Sequence, residues 1–361
     1  TTLLMAMLGC HPRIAMPEVG WLFPRIYPWR HTYGDLASDG NFRTLAAEML
    51  FGLNQPLWGL RLNPMTAVNE ITALAPERSF AGIYCAMHQR YALERGNKPR
   101  WGQKTPNNLY FVPQILDNFP NAQFIHITRD GRDASATSLE SAFGAGNIYG
   151  AAYTWDAAQR FVQPLRQRYD STTWHDVRYE ELVREPERVL RTACEFLGEE
   201  YRAEMLNFFQ TPIGKSRGKQ RDHAPLGSPV SDRYVGIYQR LLSLRDQEIY
   251  AAVAGTSHTA AGYSLDVTPA VLTEAEKALL WEWDGRIRAA RLDGPGGHIQ
   301  FESYRDWLVE QRQLRKQAGI WRDEDNPREF PVGHPDEEII VGFRAWQQWK
   351  SHFSIKRKYE K

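Results

Sequence analysis

The segment from Asn121 to Ser138 combines an apolar run, a basic turn and a hydroxyl-rich helix start. The apolar run predicts a short buried strand, and Arg129 follows that strand directly. Because the N–H groups of a helix start and a guanidinium group can bind the same anion, we expect a phosphate site at this turn. In that site Arg129 would hold the phosphate, and Thr137 or Ser138 would donate a hydroxyl to it.

Two further residues shape the predicted turn. Gly131 permits a tight change of direction, and Asp133 is expected to be the N-cap of the helix that follows. The alternative is an ordinary surface turn with solvated charges, because Arg-Asp-Gly sequences are common in such turns.

The chain upstream of this turn narrows the interpretation. Trp101-Gly102-Gln103-Lys104-Thr105-Pro106 precedes an apolar helix predicted over 109–119, which ends in Phe119-Pro120-Asn121-Ala122. From Trp101 to Glu140 the sequence resembles the core of sulfotransferases that use 3′-phosphoadenosine-5′-phosphosulfate (PAPS). It looks most like the bacterial and tyrosylprotein branch of that family, and the resemblance extends more weakly over residues 1–265.

The resemblance implies roles for residues that bind the cofactor, or its product adenosine 3′,5′-bisphosphate (PAP). In the family an arginine at the position of Arg129 and a serine eight residues later hold the 3′-phosphate; here Thr137 stands eight residues later and Ser138 follows it. The segment Val177-Arg178-Tyr179-Glu180-Glu181 places Tyr179 where the family has a tyrosine beside the adenine. A purely structural aromatic in the core is the alternative for Tyr179.

The first residues match part of a further motif of that family. Thr1-Thr2-Leu3-Leu4 correspond to the last four positions of P-R-S-G-T-T-L-L, the loop that cradles the 5′-phosphosulfate. The resemblance therefore implies that Thr1 and Thr2 bind the cofactor, and that the rest of the loop was truncated before Thr1. We expect an amphipathic helix to start here, and not a signal peptide, because no basic stretch precedes the apolar residues.

Sulfuryl transfer needs a cation at the leaving oxygen and a base for the acceptor hydroxyl, and it needs no metal. By resemblance Lys104 is the candidate cation and Glu18 the candidate base. The alternatives are a solvated surface charge for Lys104, and a loop carboxylate paired with Arg13 or Arg25 for Glu18. His223 is the rival base, because other branches of the family use histidine.

A basic polar loop is predicted over residues 214–233. In related enzymes a basic loop at this place closes over the cofactor, which makes Lys215 and Ser216 candidate cofactor ligands. A solvated surface segment is the alternative interpretation.

The fold class predicted is α/β, with a P-loop-like parallel sheet flanked by helices and a helical C-terminal extension. Residues 1–265 would form the α/β domain and residues 266–361 the extension, which could pack on the core or join a homo-oligomer. Helical patterns cover 41–95, 148–170 and 235–263, a strand enters a helix over 174–183, and Gly198 ends a helix that Pro186 opens. The extension is rich in tryptophan, and its residues include Trp307, Trp321, Trp346 and Trp349.

Bulk composition excludes several classes of protein. A net charge of +1 gives no sign of a nucleic-acid partner. The sequence contains no run of eighteen apolar residues, so no transmembrane helix is predicted. The three cysteines lack metal-ligand spacing and cannot all pair within the chain, which favours a reducing, cytoplasmic setting. A targeting segment upstream of Thr1 is left open.

The function predicted is transfer of a sulfuryl group from PAPS to a hydroxyl acceptor: a phenol, a lipid, a carbohydrate or a peptide tyrosine. The aromatic, proline-rich stretch 10–35 favours an acceptor with apolar or ring character. The alternatives are a nucleotide-dependent kinase on a related P-loop fold and a non-catalytic nucleotide-binding relative. The sequence upstream of Thr1 would separate the three: P-R-S-G for the transferase, G-x-x-x-x-G-K-S for the kinase, neither for the binding protein.

Overall fold

The computed structural model describes residues 1–51, 56–63, 66–141, 144–219, 221–293, 310 and 313–322. Most of these residues lie in helices. In chain order the α-helices are α1 Thr2–Gly9, α2 Leu22–Arg25, α3 Asp39–Phe51, α4 Ala67–Leu74, α5 Phe80–Glu94, α6 Val112–Asn118, α7 Gly131–Glu140, α8 Ile148–Arg168, α9 Tyr179–Arg184, α10 Pro186–Leu197, α11 Pro212–Arg217, α12 Tyr238–Leu241, α13 Leu244–Ala260 and α14 Glu274–Asp293. Short 3₁₀ helices cover Tyr27–Tyr33, Pro56–Gly59, Pro106–Phe111, Ala203–Gln210 and Arg221–Gly227.

The strands form two parallel pairs. Strand β1 (Ile14–Ala15) pairs with β2 (Arg100–Trp101), and β3 (Phe124–Thr128) pairs with β4 (Trp174–Arg178). The predicted α/β class, with parallel strands flanked by helices, is confirmed. The described ranges contain two separate two-stranded sheets where one P-loop-like sheet was predicted.

Helix α1 lies at the centre of one hydrophobic cluster. All of its residues from Leu3 to Leu8 are buried, and they pack with Ile14 and Val177 of the two sheets. The prediction of an amphipathic helix is therefore wrong, because a helix surrounded by other elements is apolar on every side. Lys98 fixes the end of α1 against β1: its ammonium group donates to the carbonyls of Gly9 and Ile14 at 2.8 and 3.0 Å.

Several predicted elements are present with nearly the predicted bounds. They are helix α8, the β4–α9 transition within 174–183, and helix α10, which Pro186 opens and Gly198 ends with a φ of +70°. A glycine suits this last position because left-handed backbone is costly for other residues. The helical pattern over 41–95 resolves into α3, α4 and α5, and the pattern over 235–263 into α12 and α13.

The aromatic stretch 10–35 is largely buried and contains short helices. It contains α2 and the 3₁₀ helix Tyr27–Tyr33, and Phe23, Tyr27 and Tyr33 belong to the largest hydrophobic cluster. Their rings pack against α5, for example Phe23 against Phe80 with ring centroids 5.2 Å apart. These aromatics therefore build core, and only partly buried rings such as Trp21 and Trp29 are left to contact a substrate.

Two parts of the predicted C-terminal extension pack against the rest of the chain. Helix α14 contacts α8, and its Trp281 ring lies edge-on to Tyr153, with ring centroids 5.1 Å apart. Further along, Arg315 forms a buried ion pair with Glu48 of α3 at 2.6 Å. Trp321 is buried as well, whereas Trp307, Trp346 and Trp349 lie outside the described residues. The division into domains at residue 265 stays a prediction.

None of the helices in the described ranges is both long enough and apolar enough to cross a membrane. Cys10, Cys85 and Cys194 are free thiols. In the same part of the chain no three His, Cys, Asp or Glu side chains are grouped so that they could hold a metal ion.

Candidate functional site

The carboxyl ends of β1 and β2 place Glu18 and Lys104 on the same side of their sheet. Each residue follows its strand by three positions, and the strands run parallel, so both connections leave from one edge. The two connections approach closely: a Cβ atom on Gly102 would lie 2.7 Å from the sulfur of Met16. A larger residue at position 102 would require the Met16 side chain to shift.

A second contact ties the two connections together. The hydroxyl of Thr105 accepts hydrogen bonds from the Trp21 N–H at 3.4 Å and from the Gln103 side chain at 2.7 Å. Trp21 has a left-handed backbone with a φ of 55°, which is unusual for a residue other than glycine. Such strain persists where the surroundings fix a residue, and it is frequent at functional sites.

The other sheet places Arg129 and Tyr179 together in the same way. Arg129 directly follows β3, and Tyr179 directly follows β4, its parallel partner. The Arg129 guanidinium lies over the Tyr179 ring at 4.8 Å from the centroid. The contact is a cation–π interaction, which holds the guanidinium plane in one orientation.

The guanidinium of Arg129 has two hydrogen-bond acceptors, and its Nη2 also lies 3.9 Å from Asp133 Oδ2. Nη1 donates to the Thr137 hydroxyl at 3.1 Å, and Nη2 donates to the Tyr234 carbonyl at 2.7 Å. Its Nε is buried and has no hydrogen-bond partner. A buried donor without a partner costs stability, so this atom is suited to a ligand acceptor.

The helix start after Arg129 is built differently from the prediction. Asp130, not Asp133, is the N-cap of α7, and its carboxylate accepts from the Arg132 N–H at 2.8 Å. Asp133 lies inside the helix, fully buried, and accepts from the N–H groups of Gly236 and Tyr238 at 2.8 and 3.0 Å. It thereby holds against α7 the segment whose Tyr234 carbonyl binds Arg129.

The two candidate hydroxyls on α7 have different surroundings. Thr137 faces Arg129 and donates its own hydrogen to the Asp133 carbonyl at 2.7 Å. Ser138 accepts from the Ala145 N–H at 3.1 Å, in the connection to α8. Thr137 is therefore the hydroxyl that shares a site with the arginine, although its hydroxyl must turn before it can donate to a ligand.

Lys104 is close to the start of α1. Its ammonium group donates to the Thr2 hydroxyl at 3.4 Å. Burial lowers the pKa of Lys104 to about 8; the charge of Arg217 adds to this shift and the charge of Glu18 opposes it.

Glu18 is paired with an arginine that the sequence analysis did not consider. Its Oε1 accepts from Arg217 Nε at 3.2 Å, and its Oε2 accepts from Arg217 Nη2. Of the two arginines considered as alternatives, Arg13 is paired with Glu199 at 2.8 Å, and the guanidinium of Arg25 lies over the Trp21 ring at 5.4 Å. Residues 18 and 217 are 199 positions apart, and no local pattern indicates this contact.

The basic segment begins with a helix instead of a loop. Lys215 and Ser216 are exposed on α11, and no contact joins either of them to Arg129, Thr137 or Tyr179. Arg217, at the end of the same helix, is the residue that reaches the site. His223 lies half-buried in the 3₁₀ helix Arg221–Gly227.

The described residues thus provide a half-buried lysine and a carboxylate at one sheet, and at the other an arginine whose guanidinium contacts a hydroxyl and an aromatic ring. A guanidinium next to a hydroxyl is suited to a phosphate group, and the Tyr179 ring offers a flat surface near it. The arrangement can bind a phosphorylated nucleotide and stabilise negative charge at Lys104.

Comparison with known proteins gives a consistent result. A model of the sulfotransferase family matches residues 1–203 of this chain. Omega-hydroxy-beta-dihydromenaquinone-9 sulfotransferase Stf3 of Mycobacterium tuberculosis is 26% identical over 133 residues, which are 34% of this chain and 32% of that protein. Protein-tyrosine sulfotransferase A of Caenorhabditis elegans is 25% identical over 203 residues, which are 55% of this chain and 46% of that protein.

A solved structure is also similar. The sulfotransferase domain of the Synechococcus PCC 7002 olefin synthase aligns with 73% of this chain and 90% of its own length, at 19% identity and a TM-score of 0.49. This chain spans less than half the length of either curated relative.

Proposed function

Because this chain belongs to the sulfotransferase family, we propose that it transfers a sulfuryl group from PAPS to the hydroxyl group of an acceptor. The observation that carries the proposal is the Arg129 guanidinium, whose Nη1 meets the Thr137 hydroxyl, whose plane lies over the Tyr179 ring, and whose buried Nε lacks a hydrogen-bond partner. A guanidinium and a hydroxyl can bind a 3′-phosphate, and an aromatic ring can lie beside the adenine of the same nucleotide.

In this proposal Arg129 and Thr137 hold the 3′-phosphate, Tyr179 lies beside the adenine, and Thr1 and Thr2 lie beside the 5′-phosphosulfate. PAPS supplies the sulfuryl group when it is bound. Lys104 stabilises the negative charge that develops on the departing phosphate oxygen, which matters most in the transition state. Glu18 accepts the proton of the acceptor hydroxyl as the new O–S bond forms.

The acceptor class is a separate part of the proposal. The relatives named above act, by their names, on a menaquinone derivative and on protein tyrosine. We infer an acceptor with a ring or apolar character, presented at the partly buried Trp21 near Glu18. Transfer of ³⁵S-sulfate from PAPS to phenols, lipid alcohols, sugars and tyrosine peptides would identify it.

Binding of PAP tests the nucleotide site directly. The full chain should bind PAP, and Arg129→Gln should weaken binding by about one to two decades, since a charge-assisted contact contributes about 1.5–3 kcal/mol. Isothermal titration calorimetry measures both affinities. Adenosine 5′-monophosphate (AMP), which lacks the 3′-phosphate, should bind the two proteins equally.

The matched control is Arg191→Gln. Arg191 is exposed and paired with Glu187, so this change removes the same charge away from the site. Equal affinity of wild type and Arg129→Gln for PAP would remove Arg129 from the site. A wild-type chain that binds neither PAPS nor PAP would refute the proposed function.

A further inference from the structure

The connection from α7 to α8 is held at both ends by one helix, α14. This helix lies outside residues 1–203, the part that matches the family model. Helix α7 carries Thr137, whose hydroxyl meets Arg129. The position of α7 therefore depends on a part of the chain outside the region that matches the family model.

Arg291 of α14 binds the C-terminal end of α7. Its guanidinium donates to the carbonyls of Leu139, Ser141 and Ala145 at 2.9, 3.2 and 2.8 Å. The last carbonyls of a helix lack hydrogen-bond donors within the helix and carry partial negative charge. The Arg291 guanidinium supplies both the donors and a positive charge.

Asp284 binds the N-terminal end of α8, on the other side of the connection. Its Oδ1 accepts from the N–H groups of Gly146 and Asn147 at 2.7 and 3.3 Å, and its Oδ2 pairs with Arg288 at 2.7 Å. The carboxylate is 4% exposed, so these amides have little access to water as a substitute.

Two glycines make the close approach of α14 possible. A Cβ atom on Gly150 would lie 2.2 Å from Asp284 Oδ1, and one on Gly146 would lie 2.5 Å from the Asp284 carbonyl. Backbone with no room for a methyl group indicates a fitted contact between the helices, not a loose association. Ser138 completes the arrangement, because its hydroxyl binds the Ala145 N–H within the same connection.

We propose that Arg291 and Asp284 are positioning residues for the nucleotide site: from α14 they fix the end of α7, and so keep the Thr137 hydroxyl on Arg129 where the 3′-phosphate binds. This inference rests on the proposed function. It gives the region after residue 266 a role in selecting a nucleotide with a 3′-phosphate.

The test compares two nucleotides that differ only in that phosphate. Arg291→Met keeps the apolar stem and removes the donors, and it should lower the affinity for PAP by about fivefold to tenfold with little change for AMP. Arg291→Lys keeps a donor and the charge, so it should lose less affinity for PAP than Arg291→Met does. Calorimetry with the full chain gives the ratio of the two affinities.

Arg286→Met is the matched control. Arg286 lies on the same helix, but it is exposed and paired with Glu282, so its loss should leave both affinities unchanged. If Arg291→Met does not fold, Asp284→Asn replaces it. The amide oxygen of the new side chain can still accept from the Gly146 N–H. Asp284→Asn should therefore lower the affinity for PAP by less than Arg291→Met does, again with little change in the affinity for AMP.

A double-mutant cycle with Thr137→Val shows whether Arg291 acts through Thr137. In the Thr137→Val background, Arg291→Met should have little further effect on PAP. Equal losses for PAP and AMP, or full additivity of the two changes, would overturn the inference while wild-type binding of PAP left the proposed function intact. Failure of the wild-type chain to bind PAP would overturn both.

Discussion

Lys104 loses its proton at a lower pH than an ordinary lysine because its ammonium group is buried. Its pKa is about 8 in the folded chain, against 10.5 for an unperturbed lysine. In the proposed mechanism only the protonated form can stabilise the leaving oxygen. The same burial disfavours that charged form in the folded state, so activity and stability should respond to pH in opposite directions.

We therefore expect kcat/KM to fall as the pH rises through about 8, where the free enzyme loses the Lys104 charge. Between about 8 and 10.5 the unfolded chain still binds this proton and the folded chain does not, so the Lys104 contribution to stability should rise with pH. Lys104→Met should remove that rise, and should lower turnover far more than the affinity for PAP.

A pH–rate profile and urea unfolding at pH 7 and pH 10 measure these effects, each relative to Lys104→Met. A rate that stays constant through pH 8–10 would mean that the Lys104 charge is not used. An equal loss of PAP affinity with turnover intact would make Lys104 a phosphate ligand only.

Glu18 binds Arg217 through both carboxylate oxygens, which bears on its role as a base. Each oxygen can accept more than one hydrogen bond, so an acceptor hydroxyl can bind Glu18 without displacing Arg217. We expect Glu18→Gln to reduce turnover by about 10²–10⁴ while PAP affinity is kept, since the amide keeps the shape but cannot take the proton. Steady-state rates and PAP calorimetry on this variant test it.

His223→Ala is the opposing variant in that experiment. If histidine is the base, this change removes turnover, and Glu18→Gln leaves it near normal. The second result would reduce Glu18 to a structural partner of Arg217.

At the scale of elements, α7 is held by contacts that leave no space at its first residue. A Cβ atom on Gly131 would lie 1.8 Å from the Tyr250 hydroxyl and 2.7 Å from the Trp155 ring. Tyr250 cannot move away easily, because it is fully buried and its hydroxyl bonds His258 at 3.0 Å. Gly131 is thus required for packing as well as for the turn.

Gly131→Ala should lower the free energy of unfolding by about 1–3 kcal/mol, the usual effect of overpacking. Gly40→Ala is a suitable comparison, because Gly40 lies in α3 with only Ser38 Oγ within 4.0 Å of the added methyl. That change should be stabilising by up to ~1 kcal/mol, through helix propensity. Guanidinium unfolding of the three proteins measures both effects, and a neutral Gly131→Ala would show that α7 can shift.

Elements with a local signal were predictable, and contacts between distant segments were not. The apolar run before Arg129 and the pair of Pro186 and Gly198 marked strand and helix bounds that the structure confirms. The cap of α7 was misassigned to Asp133, because the partners of that carboxylate, such as Gly236, lie about a hundred residues away in sequence. The sequence pattern alone carries no signal for such pairs.

The site shows the same division. Parallel strands bring Arg129 to Tyr179, and this contact follows from motifs at the ends of two predicted strands. Strands β1 and β2, which place Glu18 and Lys104 at one edge, were not predicted, because two residues are too few to show a strand pattern. Arg217 was missed although its neighbours Lys215 and Ser216 were chosen. The three residues lie in one short helix and differ in the direction of their side chains. That direction depends on how α11 packs, which the local sequence does not reveal.

At the scale of the whole molecule, a buried ion pair connects the two ends of the described chain. Glu48 and Arg315 are nearly inaccessible to water, Tyr33 donates its hydroxyl to Glu48, and the Arg315 guanidinium lies over the Tyr33 ring at 4.3 Å. Removing one partner of such a pair leaves an uncompensated charge in the core.

Arg315→Met should therefore lower the free energy of unfolding by about 3–5 kcal/mol. The double variant Arg315→Met/Glu48→Gln should be more stable than Arg315→Met alone, because no unpaired charge is left. Equilibrium urea unfolding of the single and double variants measures the difference. Additive losses would contradict the coupling that the structure indicates.

The same ion pair has a consequence for the order of events during synthesis. Arg315 follows Glu48 by 267 residues, so a ribosome that adds about 5–20 residues per second needs roughly 15–50 s to make the partner. During that interval the nascent α3 face must keep its carboxylate hydrated, or protected by a chaperone. The Arg315 contacts with Glu48 and Tyr33 can form only after nearly the whole described chain has been made.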